Sequence, residues 1–204
     1  MTSFTLTKSV PFSLTKSAPS LRKIRFGLGW DENRLPGQKA FDLDASAIVV
    51  GTNGLMLDPG NFVGYVGYVR PDYTVHGVSY GGDNRTGSGD GDDEFIEVDL
   101  DKVGPEVEKI VIVVTIYAGR TRNQSFGQVR NAYIRLHNIE TDNEVARLDL
   151  TTDTSRATAI IFGELVRRNG NEWEFSGSQE EIVGGLSGVC GKFGLNISEE
   201  VDQG

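Results

Sequence analysis

The segment from Lys109 to Tyr117 constrains the fold of this 204-residue chain more than any other. It reads KIVIVVTIY, an almost unbroken apolar run in which most residues are β-branched. Such side chains favour strands, and a strand that is apolar at consecutive positions usually has both faces covered. We therefore expect a central strand here, with a packed layer on each side.

Shorter segments around this run have the pattern of half-buried strands. Ile24, Phe26 and Leu28 alternate with Arg25 and two glycines, and a period of two is typical of a strand with one buried face. Further strands are predicted at 41–50, 62–68, 75–80, 94–100, 132–137, 145–149, 159–168 and 172–175. Asn169-Gly170 is a hairpin signal between the last two.

Together these segments predict an all-β fold, a two-sheet β-sandwich with short helical turns and a C-terminal helix. The 26 glycines and only 2 methionines agree with strands joined by turns. A near repeat, Leu6-Thr7-Lys8-Ser9 and Leu14-Thr15-Lys16-Ser17, has a proline after each copy. It predicts two short strands or one bent strand at a sheet edge.

The pattern changes near Ser178. Ile182, Leu186, Val189 and Phe193 recur at helical spacing, although several glycines between them weaken an isolated helix. We expect a sandwich domain at 1–177 and a helical, acidic tail at 178–204, with a short helix that forms by packing. Cys190 lies on the apolar side of that helix and is predicted to be a core residue.

Charge and composition exclude several classes of protein. The formal net charge of −9 argues against nucleic-acid binding, which needs a basic surface. A single cysteine cannot form an internal disulfide, and no apolar run approaches the roughly 18 residues of a membrane span. The first residues have no signal-peptide core. We expect a cytoplasmic protein.

The segment Gly81 to Glu94, GGDNRTGSGDGDDE, is the strongest functional signal. Five carboxylates fall between Asp83 and Glu94, separated by glycines that allow tight turns. Carboxylates this close repel one another unless a cation lies between them, and Ca²⁺ prefers oxygen ligands of this kind. A phosphate-binding loop would need lysine where Ser88 stands. An EF-hand beginning at Asp90 would need glutamate where Asp101 stands.

Further carboxylates precede this loop in the chain. Asp31 follows one predicted strand, and Asp42 and Asp44 share one side of another. If all of them reach one end of the sandwich, eight acidic groups exceed the needs of one ion, which makes two neighbouring sites reasonable. The residues leave two alternatives open: a solvated acidic loop, and a metal-dependent phosphoesterase or nucleotide-acting enzyme that uses the same carboxylates.

The chain resembles the TerD family of tellurite-resistance and stress-response proteins along residues 5 to 176. The resemblance rests on several motifs taken together: Gly27-Leu28-Gly29-Trp30-Asp31, Phe41-Asp42-Leu43-Asp44-Ala45-Ser46, Gly82-Asp83-Asn84-Arg85-Thr86-Gly87, Gly89-Asp90-Gly91-Asp92-Asp93-Glu94, Phe126-Gly127-Gln128-Val129-Arg130-Asn131-Ala132 and Phe162-Gly163-Glu164-Leu165. The tail is similar to that of the TerZ branch.

The resemblance implies a non-catalytic β-sandwich with two Ca²⁺ ions at its acidic end. It also implies partners among other tellurite-resistance proteins, in an assembly at the inner face of the membrane, and self-association through edge strands and tail is a further expectation. The ligands carried over by motif are Asp31, Asp42, Asp44, Asp83, Asn84, Asp92, Asp93 and Glu94, with backbone carbonyls of Gly87 and Gly89 and with Asp90 as an addition.

Overall fold

Strands dominate the computed structural model, which describes residues 4–5, 12–14, 21–34, 36–65, 74–150, 156–169 and 172–197. The strands within those residues are β1 (Phe4–Thr5), β2 (Phe12–Ser13), β3 (Lys23–Gly29), β4 (Leu43–Gly51), β5 (Phe62–Val63), β6 (Thr74–Val75), β7 (Val78–Tyr80), β8 (Glu94–Asp99), β9 (Val107–Ile116), β10 (Tyr133–Asn138), β11 (Asn143–Asp149), β12 (Ala159–Arg167) and β13 (Trp173–Glu181). The helices there are α1 (Gly119–Arg122) and α2 (Gly185–Lys192), with 3₁₀ turns at Pro59–Asn61, Leu100–Lys102 and Phe126–Gln128.

The strands form two sheets, which confirms the predicted sandwich. The first sheet has the order β1-β11-β10-β3-β8-β7-β6, and the second has the order β2-β13-β12-β9-β4-β5. Neighbouring strands are antiparallel except for the short pairing of β1 with β11. Apart from Leu14, the N-terminal repeat lies outside the described residues, and β1 and β2 are edge strands of different sheets.

Strand β9 is the buried centre that its sequence predicts. Ile110, Ile112 and Val114 face the main core between the two sheets. Val111 and Val113 face the other way, into a second apolar cluster beneath α2. All five side chains are fully buried. The continuous apolar run is therefore explained by one layer formed by the first sheet and another formed by the C-terminal helix.

Helix α2 packs on the outer face of the second sheet. Leu186, Val189, Cys190 and Phe193 are buried against residues of β4, β9 and β12. This confirms the predicted packing helix and the core position of Cys190. The predicted division into residues 1–177 and 178–204 stays a prediction, and the acidic end of the chain from residue 198 lies outside the described residues.

Three predicted strand boundaries were wrong. The strand predicted at 62–68 ends at Val63, because Gly64 and Tyr65 form a bend, and 66–68 lie outside the described residues. The segment 75–80 is not one strand, because His76 and Gly77 both have positive φ, 46° and 74°, and turn the chain between β6 and β7. The last strand does not end at Phe175 but continues to Glu181 through backbone pairing with β12. Gly170, in the predicted hairpin turn, lies outside the described residues. Among those that are described, no helix has the length and apolarity needed to cross a membrane.

Candidate metal centre

Three connections meet at one end of the sandwich. They run from β3 to β4, from β7 to β8 and from β9 to β10. Because β3, β7 and β9 end where β4, β8 and β10 begin, the residues between them are brought together from distant parts of the chain. Every predicted ligand lies on these connections or within the first two residues of the strand that follows.

Asp42, Asp44 and Asp83 form the one group of three potential metal ligands found among the described residues. One carboxylate oxygen of each lies within 4.8 Å of the others. Asp42 and Asp44 are 8% and 2% exposed, whereas Asp83 is on the surface. The cluster therefore opens to solvent on the Asp83 side and is closed beneath Asp44.

Asp44 has an unusual environment for a carboxylate. Its Oδ2 atom is buried and has no hydrogen-bond partner. Burial raises the pKa of Asp44 well above its usual range, and the neighbouring Glu94, Asp42 and Asp83 raise it further. The pKa of Asp42 is also raised, mainly by burial, while Arg122 opposes that effect. A cation among the three carboxylates would remove both penalties.

Two arginines lie beside this cluster. The Arg85 Nε atom is 2.9 Å from Asp83 Oδ2, with the Arg85 side chain 76% exposed. An Arg122 guanidinium nitrogen is 3.6 Å from Asp42 Oδ2, and its Cζ lies 4.8 Å from the centre of the Tyr117 ring. Asp42 and Asp83 thus have partial compensation, but Asp44 has none from a basic side chain in direct contact.

Glu94 is fully buried, and both of its carboxylate oxygens accept hydrogen bonds. Oε1 accepts hydrogen bonds from the Tyr80 hydroxyl and the Asn84 amide, both at 3.1 Å. Oε2 accepts one from the Ala45 amide at 2.9 Å. Burial raises the pKa of Glu94 to about 8, although these three donors lower it. Glu94 therefore joins β8 of the first sheet to β4 of the second, beside Asp44.

Asn84 and Asp93 hold the loop in shape. Asn84 Oδ1 accepts from the Thr86 and Gly87 amides, both at 3.1 Å, which is an Asx turn. Its Nδ2 donates to Asp93 Oδ1 at 2.9 Å, and Asp93 Oδ2 accepts from the Trp30 amide at 2.9 Å. Burial raises the pKa of Asp93.

Asp92 faces away from the three-aspartate cluster and onto the first sheet. Its two oxygens accept hydrogen bonds from Arg135 Nε at 2.8 Å and Arg135 Nη2 at 3.0 Å, a bidentate pair. Tyr133 donates from its hydroxyl to the Gly91 carbonyl and to Asp92. A Cβ on Gly27 would stand 2.0 Å from Asp92 Oδ2, so glycine in β3 is what allows Asp92 to lie on the sheet.

The remaining predicted ligands lie around the rim. Asp31 accepts from Asn131 Nδ2 at 2.8 Å. Gly87 and Gly89 have φ of +68° and +140°, and a Cβ on Gly87 would stand 2.4 Å from Trp30 Nε1. Asp90 is exposed. The structure therefore brings three predicted ligands into one cluster and gives protein partners to Asn84, Asp92, Asp93, Glu94 and Asp31.

Sequence reasoning did not assign the partners of three residues at this end of the molecule: Tyr80, Arg122 and Arg135. The outward alternation of β10 could have placed Arg135 on the sheet surface, but nothing in the sequence pairs it with Asp92. His76 and His137 pair with Glu106 and Asp142, at 3.1 and 3.0 Å, and belong to no group of three ligands among the described residues.

Comparison with known proteins identifies the family. A family model described as the TerD domain matches residues 2–193. The chain belongs to the TerD family. It is 47% identical to the tellurium resistance protein TerD of Serratia marcescens over 96% of this chain and all of that protein. It is 42% identical to general stress protein 16U of Bacillus subtilis over 94% of this chain and 97% of that protein.

A protein of the TerZ branch is also among the relatives of this chain. The tellurium resistance protein TerZ of Serratia marcescens is 35% identical, over 84% of this chain and 86% of that protein. A crystal structure of a TerD homologue from Streptomyces coelicolor A3(2) superposes with a TM-score of 0.68 at 20% identity, covering 86% and 97% of the two chains, and shows the shared fold. The three relatives by sequence are named for resistance or stress, and none is named for a reaction.

Proposed function

We propose that this protein is a Ca²⁺-binding, non-catalytic TerD-family protein whose acidic end is ordered by the ion and presented to partner proteins. The observation that carries the proposal is the buried Asp44 Oδ2 atom, which has no donor and lies beside two further carboxylates. A buried, unpaired carboxylate is costly, and a divalent cation compensates it directly. Oxygen-only ligands favour Ca²⁺ or Mg²⁺ over transition metals.

Asp42, Asp44 and Asp83 would hold the first ion, and the bound charge would cancel their mutual repulsion. A second ion, as the family resemblance implies, would draw on Asp31, Asp90 and Asp93 with the carbonyls of Gly87 and Gly89. The acidic character of the rim and the positive φ of the two glycines support this second site.

Calorimetric Ca²⁺ titration of chelator-treated, desalted protein tests the first site. Saturable binding is expected, and at 100 times Kd the linkage effect of about 2.7 kcal/mol should raise the melting temperature by roughly 5–10 °C. Asp44→Asn should abolish both effects. Asp142→Asn is the matched control, because Asp142 is 96% exposed and loses the same charge. Binding that survives Asp44→Asn unchanged would refute this assignment.

Stoichiometry tests the second site. The full protein should bind two ions, and the double variant Asp31→Asn with Asp93→Asn should bind one while keeping the Asp44-dependent melting shift. A stoichiometry of one in the unaltered protein would remove the second site and leave the first intact.

For partners, we propose association with other tellurite-resistance proteins in an assembly at the cytoplasmic face of the membrane. Co-purification with such proteins should require Ca²⁺ and fail in Asp44→Asn; equal recovery in chelator would contradict it. The absence of a catalytic role is tested separately, by an assay of phosphoester turnover with Mg²⁺ or Mn²⁺. Metal-dependent turnover that is lost in Asp83→Asn would contradict the proposal that the protein is not an enzyme.

A further inference from the structure

A large cavity opens beside the aspartate cluster. None of Asp42, Asp44 and Asp83 lines it, although Asp31, Gly87 and Gly89 of the proposed second ion site do. Its volume is about 1480 Å³, and it lies between the β3–β4 connection, the Gly87–Gly89 turn and the segment that contains α1. Trp30 and Phe41, both buried, and Tyr117 give it aromatic walls. Concave sites that combine apolar walls with a few polar groups are the usual form of small-molecule sites.

The charge of this cavity is opposite to that of the chain. Four basic residues and two acidic ones line it, a net of +2 in a protein of net charge −9; they are Arg34, Lys39, Arg122, Arg130, Asp31 and Glu32. Arg34 pairs with Glu32 at 3.2 Å, and Arg122 contacts Asp42. Neither Lys39 nor Arg130 forms an ion pair within the described part of the chain. A concave surface of this sign attracts anions.

Gln124 provides a second and independent indication that the cavity binds a ligand. Its side chain lines the cavity, and the residue is only 9% exposed. Nε2 donates to the carbonyls of Lys39 and Ala40, at 3.2 and 3.1 Å, which fixes the orientation of the amide. Oε1 is left buried without a hydrogen-bond partner. A buried acceptor of this kind is costly unless a donor reaches it.

The backbone that carries these groups is strained. Ala118 and Asn123, at the two ends of α1, have φ of 49° and 53°, and both line the cavity. The left-handed region is rarely adopted by alanine, and such residues concentrate at ligand sites. Strain, positive charge and an unsatisfied acceptor therefore coincide in the segment 118–124.

We propose that this cavity binds a small organic anion that carries a phosphate or carboxylate together with a hydroxyl or amino donor. The anionic group lies against the basic side chains of Lys39, Arg122 and Arg130, and the hydroxyl or amino group donates a hydrogen bond to Gln124 Oε1. This site goes beyond the proposed Ca²⁺ function and needs no cation, so it is tested on chelator-treated protein, where failure of either proposal leaves the other standing.

The test is a titration of the ¹⁵N-labelled full chain followed by amide chemical shifts, with four probes: glycerol 3-phosphate, glycerate, inorganic phosphate and glycerol. At least one of the first two should saturate, with shifts confined to 118–124, Lys39 and 87–89. Inorganic phosphate should bind about five- to tenfold more weakly, because it has no second group that could donate to Gln124 Oε1 while its anionic oxygens lie against the basic side chains. Glycerol should not bind. Comparison of the first two probes tells phosphate from carboxylate.

Two double variants test whether the basic residues of the cavity bind the anion. Lys39→Gln with Arg130→Gln should weaken the better probe about tenfold or more. The matched control, Lys23→Gln with Arg156→Gln, removes the same charge from exposed residues outside the cavity and should bind normally. Absence of saturation for both organic anions, equal weakening in both double variants, or shifts spread over the whole surface would each overturn the proposal.

Discussion

At the scale of single residues, Glu94 shows how a carboxylate can serve the fold without facing water. It accepts three hydrogen bonds from Tyr80, Asn84 and Ala45, which belong to both sheets and to the acidic loop. Its pKa is nevertheless raised to about 8, because burial outweighs these donors. Folding therefore favours the protonated form of this group at mildly acidic pH.

That shift predicts the pH dependence of stability. Between the ordinary glutamate pKa, about 4.3, and the folded value, the folded protein retains a proton that the unfolded chain has lost, so stability falls as pH rises. The melting temperature of metal-free protein should decline from pH 5 to pH 8, and Ca²⁺ should reduce the decline. Glu94→Gln should show a shallower slope, with the remainder due to Asp44. A melting temperature that rises with pH in the unaltered protein would contradict this.

Arg135 and Asp92 give a second prediction at this scale. Arg135→Gln leaves the Asp92 carboxylate, whose side chain is 8% exposed, without its cation. The expected loss is about 1–3 kcal/mol of unfolding free energy, measured by urea denaturation. Arg168→Gln is the matched control, because it breaks the more exposed pair with Glu174 and should cost less than about 0.5 kcal/mol. Equal losses in the two variants would show that the Asp92 pair does not anchor the loop.

At the scale of elements, the periodicity of apolar residues predicted the strands whose extent is set by side-chain burial. It missed the parts of strands whose extent is set by backbone pairing. β3 and β8 follow their apolar alternation because each buries the side chains on one face, and β9 follows its continuous apolar run because it buries both faces. The polar residues from Ser176 to Glu181 carry no such signal, yet they extend β13 by pairing with β12. The β6–β7 hairpin was missed because His76 is an uncommon residue at positive φ.

Helix α2 permits a prediction about its glycines. A Cβ on Gly191 would meet no atom within 4 Å, whereas one on Gly188 would stand 2.1 Å from the Val183 carbonyl oxygen. Gly191→Ala should therefore add a few tenths to about 1 kcal/mol through helix propensity. Gly188→Ala should destabilise the protein, because the backbone before the helix must move. Denaturant unfolding of both variants measures this; stabilisation by Gly188→Ala would show that the helix begins differently.

At the scale of the whole molecule, the sequence could predict that acidic groups meet at one end but not which of them remain without protein partners. Asp31, Asp42 and the acidic loop are brought together by strands from both sheets, which follows from the sandwich. Asp92 is hydrogen-bonded to Arg135, 43 residues away, and Glu94 is hydrogen-bonded to Ala45, 49 residues away. Such pairings depend on the register of distant strands, which local sequence does not encode.

The same architecture predicts where Ca²⁺ acts. Since the proposed ions would cancel repulsion only around Asp42, Asp44 and Asp83 and around the acidic loop, hydrogen exchange should slow most at amides 43–46 and 83–94. Turns at the opposite end, 51–57 and 139–142, should change little, because they exchange through local openings that the ion does not oppose. Mass spectrometry with and without Ca²⁺ measures this, with Asp44→Asn as the control. Unchanged exchange in the acidic loop at saturating Ca²⁺ would mean that the ion is held elsewhere in the protein.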